Sequence, residues 1–244
     1  MVTIGIKTSP EHPKEVLPVK KPVVDITSFR ISRINEPQYR HLKYLLGWVG
    51  YFVFFFLTEN LIPPEHCYSV HCLLDDLIPF WDIFVIPYVF WYFWIVIALF
   101  YFGLYKPDGF KGLMTFIIVT QIVAMACYIL WPTRQDLRPD TFPTENILTR
   151  IMGLVYAIDT NTGVCPSLHA AYSIGIASAI CKERDLAGWI RVSTVMTAII
   201  ICLSTMFVKQ HSALDVLAAL PLCVLAETIA YGKDYWAPRF KKQP

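Results

Sequence analysis

Six stretches of the chain are almost wholly apolar, roughly residues 42–62, 83–105, 112–131, 166–181, 189–208 and 213–231. Each is close to the 17–25 residues that carry a helix across a hydrocarbon core. They do not alternate polar with apolar positions, and in lipid only helices or closed barrels satisfy their own backbone groups. The pattern therefore predicts an all-α polytopic membrane protein, with six transmembrane helices in a bundle over 42–231. It leaves a polar N-terminal tail, 1–41, containing five prolines, and a short C-terminal tail, 232–244. The N-terminal tail reads as flexible, with an interfacial patch around Ile26–Ile34. Trp48, Trp81, Trp131, Trp189 and Trp236 fall mostly near the ends of the spans, where interfacial indoles sit.

Composition supports the pattern. Of 244 residues, 55% are hydrophobic and 16% charged, with a mean hydropathy of +0.48. Soluble domains carry about a quarter charged residues. This excludes a disordered chain and a disulfide-stapled secreted miniprotein. With 21 Lys and Arg against 19 Asp and Glu, no strong field draws a polyanion, so nucleic acid is not an expected partner.

The placing of those cations is more informative than their number. In a six-span layout, Arg134, Arg138, Arg150 and Lys209 fall on one side, and the other 17 of the 21 fall on the opposite side. The positive-inside rule then puts both termini in the cytoplasm. Seven cysteines are present. Cys127, Cys181, Cys202 and Cys223 lie in or beside spans and read as small packing residues. Cys67 and Cys72 share an outer loop and could pair in an oxidising compartment. His66 and His71 beside them make a set of metal-ligand types, too tightly clustered to surround one ion. No metal or other cofactor is expected.

Three polar segments collect at the outer face. The first, leaving span three, runs from Trp131 through Arg134 to Arg138 and Pro139. The second, entering span four, is Cys165, Pro166, Ser167, Leu168 and His169. The third, joining spans five and six, runs from Ser204 through Lys209, Gln210 and His211 to Asp215. His211 and Asp215 are spaced i, i+4, which stacks them on one helical face. The carboxylate can then fix one ring nitrogen and leave the other free as a nucleophile; equally, the pair could simply cap a helix start. Pro166 and Ser167 are helix-initiating residues, and the amides of that first turn form an anion-binding terminus beside His169. Arg134 and Arg138 are rim charges or bidentate phosphate ligands.

In this order, Arg-Pro, Pro-Ser-x-His and Ser-x6-His-x3-Asp, the residues resemble the type 2 phosphatidate phosphatase superfamily, which includes vanadate haloperoxidases. The wording of the second and third motifs is most similar to the branch with inositol phosphorylceramide synthases and related bacterial lipid phosphatases. The resemblance implies that His211 attacks phosphorus, that Asp215 orients it, and that His169 protonates the leaving lipid alkoxide and later activates water. It implies that Arg138 and Ser167 hold the phosphoryl oxygens, and that no metal takes part. Trp131 and Thr205 stand where the family carries Lys and Arg, and Leu168 where it carries Gly. Lys209, four residues after Thr205, and Arg134 are the natural substitutes for the two missing cations.

The expected activity is removal of phosphate from a lipid phosphomonoester or pyrophosphate, at the outer interface of the cell membrane, with membrane lipids as partners. A second possibility delivers the phosphate, or a phospho-headgroup, to an alcohol. A third is a transporter or structural membrane protein with incidental histidines. Polar groups gathered at one edge, rather than at the midplane, argue against the third.

Overall fold

The computed structural model describes residues 21–236. Its helices are α1 (Leu46–Leu61), α2 (Leu73–Leu77), α3 (Val85–Tyr105), α4 (Pro107–Leu130), α5 (Ile147–Ile158), α6 (Leu168–Lys182), α7 (Gly188–Phe207) and α8 (Ala213–Tyr231). A two-residue parallel pairing of Tyr68–Ser69 (β1) with Thr133–Arg134 (β2) ties two loops together. The described residues are thus helical apart from that pairing and the loops, and the helices are those of a membrane-embedded chain. Five are long and apolar enough to cross a bilayer: Arg40–Leu61, Asp82–Tyr105, Pro107–Leu130, Gly188–Phe207 and Ala213–Tyr231.

The expected fourth span is different. Ser167 caps α6 by accepting the Ala170 amide at 3.3 Å, so the helix starts after Pro166 and has only 15 residues. At 1.5 Å per residue it is about 22 Å long, short of a hydrocarbon core of about 30 Å. Most of its residues are nevertheless buried, because α4, α7 and α8 pack around it. Close approach comes from glycine. A Cβ on Gly175 of α6 would stand 2.6 Å from the Phe116 ring of α4, and one on Gly47 of α1 would stand 2.6 Å from Ile118.

Two further departures from the sequence reading stand out. The region from Val23 to His41 is anchored, where a flexible tail is expected. The amides of Val23 and Val24 both donate to the Leu104 carbonyl, His41 Nε2 lies 2.9 Å from the Gly103 carbonyl, and Tyr39 is fully buried. Residues 1–20 and 237–244 of the two expected tails lie outside the described residues. The long loop 132–165 contains α5, a helix capped by Asn146, whose side-chain oxygen accepts the Leu148 and Thr149 amides at 2.8 and 3.0 Å. Its Met152 packs with Val85, Tyr88 and Val208.

One end of the molecule gathers the turn at Lys106 and the α6–α7 loop, joined by Lys106 to Glu183 and Asp185 at 2.8 Å each. There Lys182 also pairs with Glu227 near the end of α8. The opposite end gathers loops 62–82, 131–167 and 208–212. All three motifs lie at that second end.

Candidate active site

The loop that delivers His211 is shaped by the end of α7. Gln210 donates its amide to the Thr205 carbonyl at 2.9 Å and Lys209 donates to Met206 at 3.0 Å, with Lys209 at φ 55°. This is the Schellman ending of a helix, with its left-handed residue at Lys209. The His211 amide adds a bond to the same Thr205 carbonyl at 3.1 Å. Thr205 therefore positions the histidine through its backbone, while its hydroxyl is spent on Cys202.

α8 then starts at Ser212, whose hydroxyl accepts the Leu214 amide at 3.1 Å. Asp215 Oδ2 accepts the Ser212 amide at 2.9 Å and faces His211 Nδ1 at 3.2 Å. Asp215 is fully buried. The carboxylate fixes the proton on Nδ1, so His211 Nε2 carries a free lone pair. That nitrogen lies 3.3 Å from His169 Nδ1. His169 stacks on Trp91, with ring centroids 4.0 Å apart, and on Tyr88, at 5.0 Å. Ser167 joins the two helix starts by donating its amide to the Asp215 carbonyl at 3.0 Å. Cys165 lies beside Asp215; burial and that carboxylate push its thiol up to about 12, so it stays protonated.

His169, His211, Asp215 and Ser167 are thus brought together. Arg138 stands next to them: it donates twice to Gln210 Oε1, at 2.7 and 3.1 Å, and to the carbonyls of Tyr156, Asp159 and Thr160. Arg134 and Lys209 are not part of this group. Arg134 bonds Asp136 and the Pro64 carbonyl. Lys209 directs its ammonium to the carbonyls of Asp75, at 2.8 Å, and Ile78. The helical spacing that would aim Lys209 back at position 205 does not apply, because α7 stops at Phe207.

Two residues without a role in the sequence reading complete the site. Gln210, inside the third motif, donates to Tyr88 at 3.2 Å and to Asp159 Oδ2 at 3.1 Å, linking Arg138 to Asp159. Asp159, at the end of α5, has its carboxyl raised by burial, against the opposing effects of Arg138 and of the hydrogen bond from Gln210. A lone acid in a long loop belongs to no recognisable motif, and only the fold of 132–165 brings it to the histidines. Asp75 of α2 braces the site from outside, with its carboxylate on the Ser212 hydroxyl at 2.6 Å and the Ala213 amide at 2.8 Å.

A cavity of about 680 Å³ leads away from the histidines between α1, α3 and α6. Trp48, Tyr51 and Phe55 line one wall and Trp91, Ile95 and Leu99 another. The lining on α3 runs from Trp91 to Leu99, about 12 Å along the helix axis. Asp159, Thr160 and Gln210 form its polar end. Among the described residues, all seven cysteines are free, including Cys67 and Cys72, and no group of metal-ligating side chains occurs. No protein-family profile, characterised relative or solved structure matches the chain.

Proposed function

We propose that this protein is an integral membrane lipid-phosphate phosphohydrolase of the type 2 phosphatidate phosphatase kind, working through a phosphohistidine on His211. The observation that carries the reading is the line Asp215–His211–His169, with contacts of 3.2 and 3.3 Å, at the polar end of an apolar cavity. A carboxylate-oriented imidazole facing a second imidazole supplies a nucleophile and an acid–base group at one point.

The phosphoryl group takes its place between the two facing nitrogens, which separate to admit it. The His211 Nε2 lone pair attacks phosphorus, the P–O bond to the lipid breaks, and His169 gives its proton to the departing lipid oxygen. His169 then takes a proton from water, the resulting hydroxide attacks phosphorus, and the P–N bond breaks to return the lone pair to Nε2. Arg138 and the Ser167 hydroxyl balance the charge on the equatorial oxygens. The apolar cavity receives the lipid chain.

In the same reading, α6 counts as a short sixth span. Both termini and the α6–α7 loop are then cytoplasmic, and the histidines face outward from the cell membrane. The fourfold scarcity of cations at the histidine end supports this orientation. The transfer of a phospho-headgroup to an alcohol is the second reading, and Asp159 favours it, because an acid beside the phosphoryl site suits a headgroup more than a bare dianion. The test is purified protein in detergent with a panel of lipid phosphates and no added metal. Phosphate release that needs His211 supports hydrolysis; lipid turnover only when an alcohol acceptor is supplied supports transfer; no turnover dependent on His211 refutes both.

A further inference from the structure

We propose that Asp159 selects lipid phosphoesters carrying an ammonium group close to phosphorus, with the aromatic cavity wall completing the seat for that cation. The inference rests on the reading of His211 as the phosphoryl acceptor.

Asp159 sits against two structural preferences, its place at a helix end and its burial. It caps the C-terminal end of α5, where the helix carbonyls already present partial negative charge and an acid is disfavoured. It is partly buried at the wall of the cavity. One carboxylate oxygen receives Gln210, while the other receives no hydrogen bond among the described residues. Arg138, the adjacent cation, donates to the main-chain oxygen of Asp159 and spends its other bonds on Gln210, Tyr156 and Thr160. The carboxylate has no ion-pair partner of its own among the described residues. Burial holds its carboxyl above the ordinary value, and a cation seated there would favour the ionised form. Acids placed against their own stability in a cleft mark functional sites.

The ligand follows from charge and from the wall. A phosphate dianion would meet the carboxylate of Asp159 in the cavity wall, whereas a zwitterionic head brings its own cation. Aliphatic chains need no aromatic lining, yet Trp48, Tyr51, Trp91 and Tyr92 all face this cavity. Aromatic faces attract ammonium groups, and a carboxylate among them adds the charge. The ammonium could sit on the headgroup, as in an ethanolamine phosphodiester, or on the lipid side, as in a sphingoid-base phosphate.

The experiment compares kcat/KM of the full chain in micelles on two matched pairs. The first is phosphatidylethanolamine against phosphatidylglycerol, read as diacylglycerol release. The second is sphingosine phosphate against ceramide phosphate, read as phosphate release. The expected result is a preference of about tenfold or more for the ammonium member of one pair, which names the source, collapsing toward unity in Asp159→Asn and kept in Asp159→Glu. Ratios near one in both pairs, or an equal loss on both members in Asp159→Asn, overturn the proposal while leaving the His211 chemistry standing. Absence of His211-dependent turnover and of trapped phosphoenzyme on all four lipids fails the underlying reading instead, and the proposal with it. Should Asp159→Asn not fold, the wild type decides: dodecyltrimethylammonium must compete with substrate where uncharged dodecyl maltoside does not, and absence of competition overturns the proposal.

Discussion

His211 Nδ1 stands 3.2 Å from Asp215 Oδ2, and the same oxygen receives the Ser212 amide at 2.9 Å. The carboxylate is therefore held by the helix start as well as by the imidazole it faces. His211→Ala should abolish turnover and trapped phosphoenzyme. Asp215→Asn should keep phosphoenzyme formation but slow it by about 10²–10⁴-fold, the scale of losing a catalytic histidine's tautomer. Complete loss of phosphoenzyme in Asp215→Asn would assign it more than orientation. Rapid-quench labelling makes the measurement.

His169 stacks on Trp91 and Tyr88 and faces His211 through Nδ1. As the acid for a lipid alkoxide, its removal should cost far more on a lipid phosphate than on nitrophenyl phosphate, whose leaving group needs no proton. Steady-state rates of His169→Ala on both substrates measure this, and equal losses would refute the acid role.

Lys209 has a structural task. Its ammonium ties the α7–α8 loop to the carbonyls of Asp75 and Ile78, and its backbone is left-handed. Lys209→Ala should lower the melting temperature while the folded fraction keeps its kcat/KM. Lys209→Gly should be about 1 kcal/mol less destabilised than Lys209→Ala, because glycine adopts that backbone freely. Thermal unfolding in detergent with matched kinetics makes the comparison.

Asp75 gives stability a pH dependence. Against the upward push of burial, the Ser212 hydroxyl and the Ala213 and Cys72 amides hold its carboxyl below its ordinary 3.8. A lowered folded value means that stabilisation is complete above the unfolded value and is lost as pH falls through the folded one. Wild-type stability should fall with acid below about pH 4, and Asp75→Asn should remove part of that fall. At neutral pH the variant should lose about 1.5–3 kcal/mol, the size of one hydrogen bond to a charged group. Denaturation at a series of pH values checks both.

Topology is open to labelling. Single cysteines placed near Glu145 should react with an impermeant thiol reagent on intact cells, and those near Glu183 should not. The reverse pattern would put the histidines on the cytoplasmic side.

Much of this architecture is legible in the sequence because lipid imposes simple rules. Long apolar runs become helices, and five do so over nearly the expected residues. The i, i+4 spacing of His211 and Asp215 survives because both fall within one helix turn of the Ser212 cap. The same rule fails for Lys209, since a Schellman ending two residues after Phe207 turns its side chain away. It fails for α6 because Ser167 delays the helix and leaves it 15 residues long. The roles of Asp75 and Asp159 are illegible in the sequence for another reason. Their meaning lies in contacts 137 and 51 residues away along the chain, with Ser212 and Gln210, and no local pattern encodes a partner at that distance.

The helix α1 supplies the aromatic wall of the cavity through Trp48, Tyr51 and Phe55, yet none of its residues is buried and none belongs to the pair of imidazoles or their carboxylate. In this cavity α1 contributes lining alone, whereas Trp91 of α3 both lines it and stacks on His169. Mutations along α1 can enlarge, narrow or lengthen the cavity while the 3.3 Å spacing of His169 and His211 stays fixed by α6 and α8. If the proposed lipid reaction holds, a lineage carrying this scaffold could change which lipid it accepts by small steps on one helix, leaving the histidine pair untouched.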